Sequence, residues 1–198
     1  MLSIIVAVHN QLAMNRLFWR HLSANTENEW ELIVIDGVGA KVIRNDGNYS
    51  YPYCQNRGIE VAQGDCLAFL NNDVIVPPGW NTQLQAAMRH HGIDVMTSCG
   101  IEHVETVAAT KGLRRRWRWI KNLVLLVGGR SENSLTLMHR LMYPRWQHFT
   151  EQRSRDFGLQ RKPGFVGNTV MMTRRALDVI GVWDERIQAA DFDLYMRV

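Results

Sequence analysis

Two patterns of apolar residues alternate along the chain. Continuous runs rich in β-branched residues, which are typical of strands buried on both faces, occupy residues 3–8, 31–36 and 65–70. Shorter runs predict further strands at 41–44, 94–98 and 165–172. Helical spacing predicts helices that begin near Met14, at 53–62, after Pro77-Pro78-Gly79, at 113–127, after a cap at Ser131, at 174–180 and within the acid-rich stretch 184–197. The alternation predicts an α/β fold with a mostly parallel, Rossmann-like sheet flanked by helices.

Polar residues follow three of the predicted strands at the point where each strand ends. His9-Asn10 comes after the first strand, Asp36 ends the second, and Asn71-Asn72-Asp73 ends the strand at 65–70. Ligands of parallel α/β sheets bind beyond the carboxyl ends of the strands. The three loops are therefore predicted to form one shared site.

Length and charge indicate one domain with a distinct insert. The chain has 198 residues, 46% of them hydrophobic, so we expect a single domain over 1–198. Residues 111–162 carry 13 basic and 3 acidic residues, whereas residues 1–110 carry 6 basic and 11 acidic ones. We therefore expect a helical basic insert over 110–163. Since the chain stops at Val198 without a closing element, the C-terminal end of the domain is expected to be truncated.

The insert contains an amphipathic helix with three possible roles. Arg114, Arg118 and Lys121 fall on one face, and Trp117, Ile120, Val124 and Val127 fall on the other. The helix could be packed on the domain, with its basic face in solvent. It could instead lie at a membrane surface, with Trp at headgroup level and Arg on anionic phosphates. Nucleic acid ranks lowest, because the rest of the domain is acidic.

The apolar run at 123–127 is too short to span a bilayer, so any membrane contact of 111–127 is peripheral. The N-terminus lacks the features of a signal peptide. Cys54, Cys66 and Cys99 lack metal-ligand spacing and are expected to be buried reduced thiols. These features favour a cytoplasmic protein, at most peripheral to the inner face of the membrane.

Four segments in register resemble family 2 glycosyltransferases. They are SIIVAVHN at 3–10, ELIVIDG at 31–37, CQNRGIEVAQGDCLAFLNND at 54–73 with its continuation VIVPPGW, and GVWDE at 181–185 with ADFDLYMR at 190–197. The likeness covers residues 1–105 and 164–198. It implies a GT-A fold that transfers a sugar from a nucleotide diphosphate to an acceptor hydroxyl, with inversion and a divalent metal.

The resemblance assigns the metal to Asp73, since Asn71-Asn72-Asp73 stands where the family has its acidic metal motif. A cation bridging the diphosphate oxygens would stabilise the charge that develops as the sugar leaves. The cofactor is expected to be Mn²⁺ or Mg²⁺. The alternative is that these three residues form only a polar turn.

The resemblance also implies a donor-binding set: Ala7, His9, Asp36, Asn56, Arg57, Asn71 and Asn72. Asp36 would contact the nucleotide base, and the His9 ring would stack on it. Many family members have two acids at the Asp36 position, so the identity of the base stays open among UDP-, dTDP- and GDP-sugars. His9 could instead cap a turn, and Arg57 could lie on a plain surface helix.

The general base of the family matches Asp191, which would take the proton of the acceptor hydroxyl. Asp193 is a helper or the base itself. Both could instead be acids in the first turn of a helix. The acceptor would be a glycan or lipid-linked precursor, as in polysaccharide biosynthesis. The alternative function is a non-catalytic domain that binds a nucleotide sugar or a membrane partner. A dinucleotide-dependent oxidoreductase is excluded, because no Gly-x-Gly-x-x-Gly follows the first strand.

Overall fold

A computed structural model of the chain describes residues 1–8, 11–35, 41–100, 104–187 and 189–198. The described strands are β1 (Leu2–Ala7), β2 (Trp30–Ile35), β3 (Lys41–Ile43), β4 (Cys66–Asn71), β5 (Val95–Thr97) and β6 (Thr169–Thr173). The described helices are α1 (Leu12–Asn25), α2 (Tyr51–Val61), α3 (Trp80–His91), α4 (Val107–Gly128), α5 (Glu132–Met142), α6 (Trp146–Phe157), α7 (Arg174–Ile180) and α8 (Ala190–Arg197).

The strands form one sheet in the order β3-β2-β1-β4-β6-β5. β1 to β4 pair in parallel, while β6 runs antiparallel to both β4 and β5. The prediction of a mostly parallel sheet flanked by helices is thus confirmed. Because β6 is antiparallel, its N-terminal end lies at the same edge as the carboxyl ends of β1 and β4.

Two apolar cores cover the two faces of the sheet. On one face, Ile4 and Val6 of β1 pack with Phe18 of α1 and Trp80 of α3. On the other face, Ile5 and its neighbours in the sheet are covered by α2, α7, α8 and the segment that precedes α8; the covering residues include Cys54, Ala176, Trp183 and Leu194. Strands buried from both sides read as continuous apolar runs, which explains why these strands were predictable.

The basic segment folds into three helices on the α1 side of the sheet. The Thr106 hydroxyl accepts a bond from the Ala109 N–H and starts α4, and the Ser131 hydroxyl caps α5 through the Ser134 N–H. α5 packs against both α4 and α1, and Arg20 of α1 pairs with Glu132. No helix in the described ranges is both long and apolar enough to cross a membrane.

Several predicted boundaries were wrong. The strand predicted at 165–172 begins only at Thr169, because residues 165–168 form the irregular approach to it. α6 was not predicted: its few apolar residues, Trp146, Phe149 and Phe157, do lie at helical spacing, but none of its residues is fully buried. The helix predicted to begin within the acid-rich stretch 184–197 is confirmed as α8, which starts at Ala190. The three cysteines are free thiols, but only Cys54 is buried, whereas Cys99 is exposed.

Candidate active site

The carboxyl ends of the central strands lie side by side. Ala7 of β1 is in register with Ile35 of β2 on one side and with Asn71 of β4 on the other. The structure therefore brings Ala7 together with the start of the Asn71-Asn72-Asp73 segment. His9 and Asp36, which follow β1 and β2 in sequence, lie outside the described residues.

A tight turn after β4 presents Asp73 to solvent. The turn is closed by a bond from the Val74 N–H to the Asn71 carbonyl, 3.3 Å long. The Asn72 side chain donates to Oδ1 of Asn15 on α1 at 2.7 Å, which fixes the orientation of its amide. Asp73 itself is exposed. The turn thus holds one carboxylate at the mouth of the site, anchored to the helix that packs beneath it.

The loop before β6 connects this turn to α8. The Asn71 N–H donates to the Asn168 carbonyl at 3.1 Å, so β4 and the loop are joined by a backbone bond. The neighbouring Gly167 lies against Asp191, such that a Cβ on Gly167 would come within 2.4 Å of the Asp191 Oδ2 atom. Only a residue without a side chain permits this approach. Through Asn71, Asn168 and Gly167, the turn that carries Asp73 and the helix that carries Asp191 share one continuous set of contacts.

The two acids of α8 have different surroundings. The Arg197 guanidinium donates to Oδ2 of Asp193 through two nitrogens, at 2.9 and 2.7 Å, and also bonds the Ile180 and Val182 carbonyls. Asp193 therefore belongs to a contact that fixes the end of α8. Asp191 is exposed, and its Oδ1 accepts from the Phe192 N–H at 2.9 Å.

Behind Asp191, the buried hydroxyl of Tyr51 lies at the start of α2. Burial, and after it the negative charge of Asp191, raise the pKa of Tyr51 above its ordinary value. The phenol is therefore neutral at all physiological pH values. Its ring packs edge-on against Trp183, with the ring centroids 5.6 Å apart.

Asn56 of α2 holds the segment before α8. Its Nδ2 donates to the Trp183 carbonyl at 2.9 Å and to Glu185 at 2.7 Å, while its Oδ1 accepts from the Trp183 N–H at 3.0 Å. Arg57, one residue further, donates to the Tyr53 hydroxyl at 3.4 Å and lies 4.0 Å from Glu60. Both predicted donor-binding residues thus contact protein groups, and Asn56 positions the chain that leads to Asp191.

A cavity of about 1580 Å³ opens beside the turn, and Asn72 and Asp73 belong to its lining. Its lining is largely apolar and comes mainly from the three helices of the basic segment and from α1 and α3; it includes Leu84, Trp117, Leu125, Met138, Met142 and Phe149. Arg153 and Lys162 add positive charge to the wall. The insert is therefore part of the site's surroundings, and the cavity extends from the turn to beneath α4.

The chemistry of the turn is compatible with a divalent cation. Within the described parts of the chain, no three His, Cys, Asp or Glu residues come together as a metal cage. Mg²⁺ is commonly bound by one or two carboxylates together with substrate phosphates and water, without an all-protein cage. Asp73, exposed and next to two amide side chains, can serve as the protein ligand in such a site.

Comparison with known proteins identifies the class. The sequence profile of glycosyl transferase family 2 matches residues 37–181, and the chain belongs to this family. No curated protein matches the chain in sequence. The fold is similar to that of TarS 1-349 from S. aureus, with a TM-score of 0.58 and 13% identity over 99% of this chain and 54% of that one.

A second similar structure is the mannosyltransferase PcManGT from Pyrobaculum calidifontis, in complex with GDP-Man and Mn²⁺. Its TM-score is 0.57, with 12% identity over 98% of this chain and 50% of that one. TarS 1-349 has also been solved in complex with UDP-GlcNAc, with a TM-score of 0.54, 13% identity, and coverage of 99% and 52%. The chain spans about half the length of these structures. The expected GT-A fold is thereby confirmed.

Proposed function

We propose that the chain is a metal-dependent, inverting glycosyltransferase that moves a sugar from a nucleotide-diphosphate donor to an acceptor hydroxyl. One observation carries the proposal: the contacts through Asn71, Asn168 and Gly167 link an exposed carboxylate at a strand end, Asp73, to a second one, Asp191. Such a reaction needs one acid for the diphosphate side and one for the acceptor side. Solved relatives of similar fold in complex with GDP-Man and with UDP-GlcNAc support the donor class.

In this proposal Asp73 holds Mn²⁺ or Mg²⁺, and the amides of Asn71 and Asn72 border the same position. The cation, when bound, neutralises the charge that grows on the diphosphate as the sugar departs. The Mn²⁺ present in the complex of PcManGT is consistent with this choice of metal. Ala7, His9 and Asp36 would complete the donor side, with the last two on the nucleotide base.

Asp191 acts on the acceptor. Its carboxylate takes the hydroxyl proton while the acceptor oxygen attacks the anomeric carbon, and the bond from that carbon to the diphosphate oxygen breaks. A single displacement inverts the anomeric centre and releases the nucleoside diphosphate. The paired state of Asp193 with Arg197 favours Asp191 as the base. Asn56 and Arg57 are proposed for the donor side, and Asn56 also holds α2 against the chain before α8.

We further propose that residues 1–198 form a single domain, with 110–163 as an insert, that works at the cytoplasmic face of a membrane. The acceptor would be a glycan or a lipid-linked precursor of a polysaccharide, and contact with the membrane would be peripheral, through 111–127. The largely apolar wall of the cavity next to Asp73 supports an acceptor with an apolar part.

A second function, a domain that binds a nucleotide sugar without catalysis, is favoured by the single acid in Asn71-Asn72-Asp73. One experiment separates the two functions. The chain is mixed with UDP-, dTDP- and GDP-sugars in Mn²⁺, Mg²⁺ or chelator, and both thermal shift and nucleoside diphosphate release are measured. A catalytic domain gives metal-dependent release with one donor. A binding domain gives the thermal shift alone.

Asp73→Asn tests the metal ligand, since a neutral amide replaces an anionic ligand poorly. We expect release to fall by about 10²-fold or more, with an unchanged circular dichroism spectrum. Asp65→Asn is the matched control, because Asp65 precedes the opposite end of β4 and its side chain is 95% exposed. Activity of Asp73→Asn within a few-fold of the parent at saturating Mn²⁺ would exclude Asp73 as the ligand.

A further inference from the structure

The outer face of α4 exposes apolar side chains that the fold does not cover. Trp119, Leu123 and Leu126 are 74%, 62% and 85% exposed, and Val127 is 83% exposed. Trp119, Leu123 and Leu126 follow one another at spacings of four and three residues, so they lie on one side of the helix. Scattered exposed apolar residues are ordinary, but a contiguous group marks an interaction surface.

Cationic side chains border this apolar group toward the start of the helix. Lys111, Arg115 and Arg118 are exposed. α4 contains no Asp or Glu. The nearest acids in sequence, Glu105 and Glu132, pair with Arg153 and Arg20. The outer face therefore presents positive charge next to apolar side chains.

The inner face of α4 is used differently. Val124 is buried, and Leu113, Trp117 and Leu125 line the cavity that reaches Asn72 and Asp73. Trp117 and Trp119 lie about 200° apart around the helix, so one faces the protein and the other faces solvent. Packing of α4 on the domain therefore leaves Trp119 and its apolar neighbours without a role in the core.

We propose that the outer face of α4 docks on a bilayer that contains anionic lipids. Trp119, Leu123, Leu126 and Val127 enter the boundary between headgroups and acyl chains, while Arg115 and Arg118 contact lipid phosphates. A symmetric contact with a second copy would bring two cationic faces together, which is unfavourable. The proposal names the partner of the insert and rests on the proposed function only for its purpose, which is to bring the cavity and Asp73 close to a lipid-linked acceptor.

Sedimentation with vesicles tests the docking, using neutral phosphatidylcholine and a mixture with about one third phosphatidylglycerol. The parent chain should sediment with the anionic vesicles at low salt and release as salt rises, because part of the attraction is screened. A Trp119→Ala/Leu126→Ala variant should lose about tenfold or more in partitioning. Arg115→Gln/Arg118→Gln should lose a similar factor at low salt and little at high salt.

Trp117→Ala is the matched control: the same substitution two residues away, on the cavity side. It should bind vesicles within about twofold of the parent while its melting temperature falls, because it loses packing. Three results would each overturn the docking: no sedimentation of the parent at any salt, equal binding by the Trp119 variant, or lipid-free self-association that the Trp119 variant abolishes in the analytical ultracentrifuge.

Donor turnover without lipid separates this proposal from the catalytic one. Nucleoside diphosphate release should be the same in the parent and in the Trp119→Ala/Leu126→Ala variant, because the outer face lies outside the site. Vesicle binding without any turnover would leave the docking intact and reject catalysis. Turnover without vesicle binding would support catalysis and reject the docking.

Discussion

The carboxyl edge of the sheet and helices α4–α6 differ in the number and placement of their charged side chains. The edge carries few charged groups, and contacts with the backbone fix their positions. Asp191, for example, lies against Gly167, whose neighbour Asn168 is bonded to Asn71. In helices α4–α6, many Lys and Arg side chains are exposed. Catalysis depends on where one carboxylate is held, whereas attraction to a surface depends on the sum of many charges. Single substitutions at the edge should therefore change turnover, and those in the helices should change stability or partner binding.

Among substitutions at the sheet edge, Asp191→Asn should lower turnover the most. Loss of the general base should lower turnover by about 10²- to 10⁴-fold. Donor affinity, measured as the thermal shift with nucleotide sugar, should stay nearly unchanged, since the base acts on the acceptor. Asp193→Asn is the control on the same helix. It removes the partner of Arg197 and should lower the melting temperature while turnover stays within a few-fold. If Asp193→Asn instead shows the catalytic profile, the base lies two residues further along the chain.

Gly167→Ala should give the next largest effect. The added Cβ would lie 2.4 Å from the Asp191 Oδ2 atom and 2.7 Å from its Cβ, so the carboxylate must move. A displacement of about 1 Å in a reacting group can cost about 10²-fold, so turnover should fall about 10- to 100-fold at constant donor affinity. Gly100→Ala is the control, because its Cβ would meet the same loop at an ordinary 3.7 Å. Equal turnover in the two variants would show that Gly167 does not position Asp191.

The same contrast explains what the sequence could predict. The parallel strands and their polar ends were predictable, because strands buried on both faces are apolar throughout. α7 was predicted with its observed bounds, because Thr173 caps its start and Gly181 follows its end. The contact of Gly167 with Asp191 was not predictable, since it depends on β6 running antiparallel, and the pairing direction of a strand is not written in a local apolar run.

The faces of α4 were predicted only in part. The sequence separated Arg and Lys from Trp, Ile and Val, and the structure does turn Trp117 and Val124 inward. It also leaves Val127 exposed, contrary to the pattern. Which apolar side chains are covered depends on where α5 and α6 pack, and the few apolar residues of α6 do not indicate that position from the sequence alone. The exposure of Trp119 could therefore not be predicted from the sequence and is known only from the structure.

The smallest effect concerns stability in the helices. His139 of α5 lies half-buried against His21, Tyr143 and Trp146, with ring centroids 5.4, 5.8 and 4.9 Å away. Burial, and after it the charge of His21, lower the pKa of His139 from 6.5 to about 4. Burial and the charge of Arg20 also lower the pKa of His21. The surroundings of both rings therefore favour the neutral form of each histidine.

Because the folded chain holds His139 neutral, the unfolded chain binds more protons between pH 6.5 and about 4. Titration of His139 therefore leaves the unfolding free energy unchanged above pH 6.5 and lowers it as pH falls toward 4. The loss should amount to about 1–2 kcal/mol for a ring that is only half-buried. His139→Phe keeps the aromatic contacts but cannot titrate. Urea unfolding at pH 7 and pH 4.5 should therefore show a smaller acid loss of unfolding free energy in the variant, with turnover at pH 7 unchanged. An equal acid loss in parent and variant would mean that His139 is not the group that titrates, and a fall in turnover at pH 7 would mean that this part of the insert and the sheet edge are coupled.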